Sequence, residues 1–84
     1  MLIDSRPLYY PIVALLGRDR VDIRTIGDAA AFIVNLPKSY DGRLHWSLAG
    51  SALEAAHERP NDIDLLRTAT MAFEKALATE EMLG

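Results

Sequence analysis

Apolar residues fill the first part of the chain almost without interruption, and further along they alternate with polar ones. Residues 8–16 (LYYPIVALL) are rich in β-branched and aromatic side chains and stop at Gly17, which predicts a strand. Because Pro11 has no backbone N–H, this strand suits the edge of a sheet. After a polar turn at residues 17–20, residues 21–25 (VDIRT) alternate with a period of two, as a half-buried strand does. The pattern predicts an antiparallel hairpin.

The turn at residues 17–20 also predicts a register for this hairpin. Six residues share the face that supplies the core, in the opposing pairs Leu16 and Val21, Ala14 and Ile23, and Ile12 and Thr25. The other face receives Asp22 and Arg24 from the second strand. In this register Asp22 lies opposite Leu15, and Arg24 lies opposite Val13. A two-stranded sheet also leaves both outer edges unpaired, and an exposed apolar edge invites another chain.

Three helical patterns follow the hairpin. Thr25 with Asp28 three residues later resembles a capping box, so helix 1 begins at Thr25 or Gly27. The helix ends before Pro37, because the residue that precedes a proline avoids helical geometry. Its apolar stripe has the spacing i, i+3, i+4, i+7 and consists of Ala29, Phe32, Ile33 and Leu36.

Helices 2 and 3 follow a loop at residues 37–42. Helix 2 runs from about Arg43 to His57, with an apolar side made of Leu44, Leu48, Ala52, Ala55 and Ala56. Helix 3 begins at Asn61 or Asp62, where an acidic first turn suits the helix dipole. Its core stripe consists of Ile63, Leu66, Thr70, Phe73 and Leu77.

Together these elements predict a single small α+β domain at residues 8–83, preceded by an N-terminal segment at residues 1–7. The order is β-β-α-α-α, an antiparallel β-hairpin followed by three helices. A chain of 84 residues is long enough for one domain and too short for two. The hairpin should pack its core face on helices 1 and 3, and the most buried residues should include Phe32, Ile33, Leu66, Phe73 and Leu77.

The composition excludes several classes of protein. Half of the residues are apolar and a quarter are charged, which excludes wholesale disorder. The absence of cysteine excludes disulfide scaffolds, zinc ribbons, iron–sulfur clusters and thiol nucleophiles. The net charge of −3 offers no general attraction to phosphate backbones, and helix 3 has more acidic than basic residues. We therefore expect no nucleic-acid partner.

The first residues of the chain show no basic patch followed by an apolar run, so we expect no signal peptide. The longest apolar stretch, residues 7–16, is about half as long as a membrane-spanning helix. We therefore expect a cytoplasmic protein with no membrane partner.

Several short strings along the chain are typical of close packing: Pro11-Ile12-Val13, Ile26-Gly27-Asp28-Ala29-Ala30, Gly42…Ala49…Ala52, and Ala72-Phe73…Ala76…Met82-Leu83. With the predicted element order, they resemble a bacterial family of small domains, number 982 in the series of domains of unknown function, over residues 11–83. Family members often carry a Trp-Pro pair after helix 1 and a cysteine in helix 2. This chain has Leu36-Pro37 and Ala52 or Leu53 there. The resemblance implies the fold, and because the family has no established activity it implies no catalytic residue.

Three side chains of helix 2 are the best suited to chemistry. His57 shares a helix face with Glu54 at the spacing i, i+3, as in di-iron bundles, but those need a second such pair and two further glutamates. We therefore expect no bound metal and no cofactor. His45 and Trp46 could line a pocket for a small ligand. Alternatively, Trp46 covers one end of the core while His45 stays in water.

The leading functional hypothesis is a non-enzymatic protein-interaction module, either a homodimer or a subunit that docks on another protein. Its interface would be four non-polar residues on the outward face of strand 1, namely Tyr9, Pro11, Val13 and Leu15. One alternative is that the N-terminal segment, with Leu2 and Ile3, folds back over this patch within one protomer. The other is a small-ligand binder or minor enzyme with a site near His45, Trp46 and His57. A DNA-binding regulator ranks below all of these.

Overall fold

The computed structural model describes residues 4–40 and 43–84 and shows a hairpin followed by helices. In chain order the elements are β1 (Pro7–Leu16), β2 (Asp19–Thr25), α1 (Ile26–Val34), a short 3-10 helix (Lys38–Tyr40), α2 (Leu44–Glu58) and α3 (Ile63–Thr79). The two strands form one antiparallel sheet. The predicted α+β fold is confirmed, whereas the predicted cover by Leu2 and Ile3 lies outside the described residues.

The turn between the strands is shorter than the sequence pattern predicts, and the register differs by two residues. Gly17 and Arg18 alone connect the strands, and Gly17 has a φ of +63°, as the first position of a two-residue type II′ turn requires. The observed opposing pairs are Leu16 and Asp19, Leu15 and Arg20, Ala14 and Val21, Val13 and Asp22, and Ile12 and Ile23. The pairs predicted from a four-residue turn, such as Leu16 with Val21, are therefore wrong. A shift of two residues keeps each side chain on its predicted face, because side chains alternate with a period of two.

The ladder is irregular in the first half of β1. Pro7 lies opposite Thr25, and the regular pairs resume only at Ile12. Four residues of β1, at positions 8–11, therefore lie opposite a single residue of β2, Arg24. Pro11 lies in this stretch, where the ladder is already interrupted and a missing N–H removes no regular bond. This is why β1 can carry a proline although it packs on the core.

The first turns of α1 and α3 are capped by the residues that the sequence indicates. Thr25 Oγ1 accepts a hydrogen bond from the Asp28 amide at 3.0 Å, and Asp28 Oδ2 accepts one from the Thr25 amide at 3.2 Å. This is the reciprocal pattern of a capping box. At α3, the Asp62 carboxylate accepts from the amides of Asp64 and Leu65, both at 3.1 Å. The predicted starts of helices 1 and 3 are confirmed.

The chain leaves α3 through a residue in the left-handed conformation, although this residue is not a glycine. Glu81 has a φ of +57°, in the left-handed region. The Met82 amide donates to the Leu77 carbonyl at 2.7 Å, and the Glu81 amide donates to the Ala78 carbonyl at 3.1 Å. These are the two bonds of a Schellman motif. The motif turns the chain back, so that residues 82–84 run along β1.

The outer edge of β1 is covered in part by these last residues of the chain. The Leu15 amide donates to the Met82 carbonyl at 2.6 Å. The Gly84 amide donates to the Val13 carbonyl at 2.9 Å, and the pairing of residues 82–84 with β1 is antiparallel. The prediction that both edges of the sheet are unpaired is therefore wrong for β1.

The core lies between the sheet and the helices, with α3 packed on β1, α1 packed on β2, and α2 against both α1 and α3. The most completely buried large side chains are Phe73, Ile23, Ile26, Leu53, Leu77 and Thr70. Predicted burial is confirmed for Phe32, Phe73 and Leu77. Ile33 and Leu66 are only half-buried.

Helix α2 turns a different side to the core than the one predicted. Leu44 and Leu48 were expected to be apolar core positions, but they are 71% and 58% exposed. The buried residues of α2 are Trp46, Ala49, Leu53 and Ala56. Of these, Ala56 belongs to the predicted side. The observed side faces inward because the Trp46 ring buries more apolar surface than Leu44 or Leu48 would. Ile63, predicted in the stripe of α3, is likewise 59% exposed.

Candidate functional site

The two histidines lie at opposite ends of α2. His45 and Trp46 belong to its first turn and His57 to its last, so a rise of 1.5 Å per residue separates the histidines by about 18 Å. The structure therefore does not bring the three predicted site residues into one pocket. Each end of the helix instead forms its own cluster of polar side chains.

At the carboxyl end of α2, the His57 ring contacts a carboxylate from the first described residues of the chain. Asp4 Oδ2 lies 2.8 Å from His57 Nδ1, and the Asp4 side chain is only 6% exposed. Arg6 Nε donates to both oxygens of Asp4, at 3.0 and 3.1 Å. Arg6 Nη2 also donates to the carbonyls of Ala56 and His57, at 3.1 and 3.0 Å. These carbonyls belong to the last turn of α2, where no further helical residue supplies an N–H donor for them.

The same residues also contact the start of α1. The Gly27 amide donates to the Asp4 carbonyl at 2.8 Å, and the Ile26 amide donates to the Arg6 carbonyl at 3.0 Å. A Cβ atom at position 27 would lie 2.7 Å from the Asp4 carbonyl oxygen, so only glycine permits this approach. Residues 4–6 thus join the start of α1 to the end of α2.

The Asp4 carboxyl group is held in its ionised form. Hydrogen bonds from the Arg6 guanidinium hold the pKa of Asp4 well below its usual range; burial opposes this effect, and the bond with His57 adds to it. Because a carboxylate only accepts hydrogen bonds, Nδ1 of His57 is the donor in this contact. The His57 side chain is 43% exposed.

A carboxylate that orients an imidazole also occurs in Ser-His-Asp hydrolases, which additionally need a nucleophile at Nε2 and donors for an oxyanion. Within residues 4–40 and 43–84, no hydrogen bond joins His57 Nε2 to a hydroxyl group. The described part of the chain also holds no group of three His, Cys, Asp or Glu side chains that could bind a metal ion. The contacts of Asp4 with His57 and Gly27 join the first described residues to α2 and α1. Sequence reasoning missed Asp4 because 53 positions separate the two residues.

At the amino end of α2, the residue that precedes the helix binds the carboxylate of Glu80, the residue that follows α3. Arg43 precedes the helix and donates through Nη1 to Glu80 Oε2 at 2.7 Å; the Glu80 side chain is 7% exposed. The Arg43 guanidinium also lies over the Tyr40 ring, 4.9 Å from its centroid. His45 Nε2 is 3.6 Å from Glu80 Oε1, too far for a direct hydrogen bond. The cluster fixes the start of α2 against the end of α3.

Trp46 belongs to the core. Its residue is 5% exposed, and its ring centroid lies 6.2 Å from that of Phe32 and 6.3 Å from that of Phe73. Among the residues that the structure describes, the indole Nε1 has no hydrogen-bond partner, and neither has the buried Nε2 of His45. The ring contacts are those expected of a tryptophan that covers one end of the core.

The outward face of the hairpin presents the four residues of the predicted interface. Tyr9 and Leu15 are 49% and 39% exposed. Pro11 is also exposed, and Val13 is half-buried. Val13 is shielded from one side by Gly84, where a Cβ atom would lie 2.8 Å from Val13 Cγ1. Among the described residues, the C-terminal ones therefore cover part of this face and leave Tyr9 and Leu15 exposed.

The other strand gives this face its charge. Arg20 lies opposite Leu15 and Asp22 lies opposite Val13, which replaces the predicted partners Asp22 and Arg24. The Arg20 and Asp22 side chains are 72% and 57% exposed and approach each other only to 4.0 Å. The outward face thus consists of an apolar strand beside a charged one.

A groove of about 290 Å³ runs between β2 and α1, on the core side of the sheet. Its apolar walls are Val21, Ile23, Ala31 and Phe32. Asp22 and Asp28 lie at its polar side. Leu16 of β1 also lines the groove.

No helix in the described part of the chain is long and apolar enough to cross a membrane. The chain matches no protein-family model, no curated protein and no solved structure. The resemblance to domain family 982 accordingly stays a prediction, and the function has to be inferred from the geometry of the chain itself.

Proposed function

We propose that this chain is a small non-enzymatic protein-interaction module whose contact surface is the outward face of its hairpin. The observation that carries the proposal is the exposure of Tyr9 and Leu15 on a face whose other strand is charged. Exposed apolar side chains that lie together and are rimmed by polar residues mark protein–protein contact sites. Tyrosine is also among the residues enriched at such sites, since its ring is apolar and its hydroxyl polar.

The gain from covering this face is modest. Completing the burial of a side chain that is already half-buried contributes about 1 kcal/mol, roughly half the value for full burial. Tyr9, Pro11 and Leu15 would together contribute about 3 kcal/mol per protomer on this basis. The charged residues beside them, Arg20 and Asp22, remain at the rim and add specificity rather than affinity. A weak, concentration-dependent contact is therefore expected.

Self-association of the purified chain tests this contact without any other protein. Light scattering over a concentration series up to about 1 mM should show an average mass that rises above that of the monomer, as expected for a small interface. Leu15→Lys should reduce this rise, because it places a charge in the apolar strip. The matched control is Leu44→Lys on α2, where an equally non-polar residue is 71% exposed but lies away from the hairpin.

The response of the control variant shows whether the effect of Leu15→Lys is specific to the hairpin. Leu44→Lys should leave the concentration dependence unchanged. A wild-type chain that stays monomeric throughout the series, or an equal response to both substitutions, would contradict the outward face as a contact surface.

A further inference from the structure

The two outer edges of the hairpin differ in how their backbone groups are used. The Leu15 amide and the Val13 carbonyl bond to the C-terminal residues, so both residues direct their backbone groups away from β2. In an antiparallel ladder such residues belong to non-hydrogen-bonded pairs. Their partners Arg20 and Asp22 therefore direct their own amides and carbonyls away from β1, to the opposite edge. Within the described part of the chain, the edge of β1 is covered at residues 13–15, and the edge of β2 is open at residues 20–22.

The open part of β2 is short and well defined. In the segments 4–40 and 43–84, no backbone hydrogen bond outside the hairpin uses Arg20 or Asp22. One pair further along, the Arg24 amide is already taken by Asp28 Oδ2 at 3.1 Å. Residues 20–22 thus form an unpaired edge, which is a template for another strand.

We infer that two copies of this chain pair antiparallel through this edge, with Arg20 of each protomer opposite Asp22 of the other. The inference goes beyond the proposed function, because it names a second copy as the partner of the β2 edge rather than of the outward face. In this register both residues direct their backbone groups at the partner strand, which gives about four backbone hydrogen bonds across the two-fold axis. It also places opposite charges directly across from each other twice, and such pairs stabilise a sheet.

The alternating charges select this register over its neighbours. A two-fold axis at Asp22 would set two carboxylates opposite each other, and an axis at Arg20 would set two guanidinium groups opposite each other. Like charges in directly opposite positions destabilise a sheet. An edge with charges of one sign would repel a second copy in every register, whereas residues 20–22 are complementary to themselves when the axis passes at Val21. In that register Arg24 lies opposite Arg18 of the other copy, but Arg18 belongs to the turn and lies outside the paired strand.

The groove beside β2 provides the apolar part of the contact. With the axis at Val21, the Val21 side chains of the two copies lie opposite each other on the core side of the sheet. The partner's Val21 would then lie beside the Val21 that lines the groove of about 290 Å³ together with Ile23 and Phe32. The open edge, the charges and the groove thus all point to the same register.

Pairing through β2 would make a four-stranded sheet, with the two β1 strands outermost. A two-fold axis perpendicular to the sheet keeps both outward faces on the same side. The apolar strips of Tyr9 and Leu15 from both protomers then remain open on one surface. The edge contact and the outward face are therefore separate, and each can be tested without the other.

The test uses charge reversal in a chain whose outward face has been weakened by Leu15→Ser, a neutral change. Light scattering of this variant should still show dimers at high concentration. Arg20→Asp and Asp22→Arg, each added to it, should weaken self-association at least about tenfold, because each sets like charges opposite in both pairs. An equimolar mixture of the two variants should restore dimers. Positions 20 and 22 are both acidic in the Arg20→Asp chain and both basic in the Asp22→Arg chain, so a mixed dimer again sets opposite charges across from each other.

Controls of equal charge change are Lys75→Asp on α3 and Glu54→Arg on α2, both exposed positions away from the sheet; they should leave the dimer intact. Recovery in the mixture also shows that both charge-reversed chains fold. A dimer that survives both reversals, or a mixture that stays monomeric, overturns the edge contact. Loss of the dimer in Leu15→Ser alone also overturns it but supports the proposed outward face.

Discussion

Asp4 is a single acidic side chain on which three parts of the chain converge. Its carboxylate binds Arg6 and His57, and its carbonyl accepts the Gly27 amide. Because the pKa of Asp4 is lower in the folded state than in the unfolded state, the unfolded chain takes up the proton more readily as the pH falls. The stabilisation is complete above the unfolded-state pKa of about 3.9 and is lost as the pH falls toward the folded-state value.

Asp4→Asn tests this contribution. At pH 7 the substitution should lower the free energy of unfolding by about 2 kcal/mol, because it removes charge-assisted hydrogen bonds with Arg6. It should also flatten the loss of stability between about pH 4 and pH 2. Urea denaturation across this pH range measures both effects. Asp64→Asn, at a carboxylate that is 77% exposed, is the control and should keep the wild-type slope. An Asp4→Asn chain with the wild-type slope would show that the carboxylate is not linked to folding.

At the scale of the elements, α3 ends with a residue poorly suited to its conformation. Glu81 occupies the position of a Schellman motif that glycine usually takes, with a φ of +57°. A side chain in this region costs about 1 kcal/mol, because its Cβ atom crowds the following carbonyl oxygen. The bonds that Met82 and Glu81 donate to the last turn hold the residue there nonetheless.

Glu81→Gly should therefore stabilise the protein. The expected gain is about 1 kcal/mol, which corresponds to a rise in Tm of about 4–8 °C for a domain of this size. Glu58→Gly, at the exposed end of α2, is the matched control; it should lower the Tm because glycine weakens a helical turn. Thermal denaturation followed by circular dichroism measures both variants. If Glu81→Gly lowers the Tm as Glu58→Gly does, the assigned cap is incorrect.

At the scale of the whole molecule, residues 82–84 close one edge of the sheet and thereby decide which edge stays open. Met82 is 6% exposed, and the Leu15 amide donates to its carbonyl. The Ala14 amide, in contrast, belongs to a pair that is hydrogen-bonded within the hairpin. The two amides therefore depend on different parts of the fold.

Deletion of residues 82–84 should expose the Leu15 amide. Relative to Ala14, its hydrogen exchange should become at least about tenfold faster, since it loses its partner while the hairpin bond remains. Hydrogen exchange measured by NMR on both chains gives this ratio, with Ala14 as the internal control. An unchanged ratio would show that the C-terminal residues do not close this edge.

The sequence alone was sufficient for the features that depend on neighbours along the chain. The capping box of Thr25 and Asp28 was predicted correctly, and the start of α3 was narrowed to Asn61 or Asp62, because a cap needs a polar side chain within three residues of the helix start. The faces of β1 and β2 were predicted correctly because side chains alternate with a period of two. The burial of Phe73 followed from the 3.6-residue period of α3. The order of the elements followed from these local patterns.

Only the tertiary structure decided the features that depend on contacts between distant residues. The rotation of α2 was set by packing Trp46 against Phe32 and Phe73, because α2 carries two apolar stripes and its periodicity alone does not choose between them. His57 was a recognisable candidate, but its partner Asp4 was not, since the two meet only when residues 4–6 lie against both helices. In the same way, residues 82–84 cover β1 because α3 ends where it does. Local patterns determine which elements form, whereas the packing of the finished core determines which of their polar groups and edges meet.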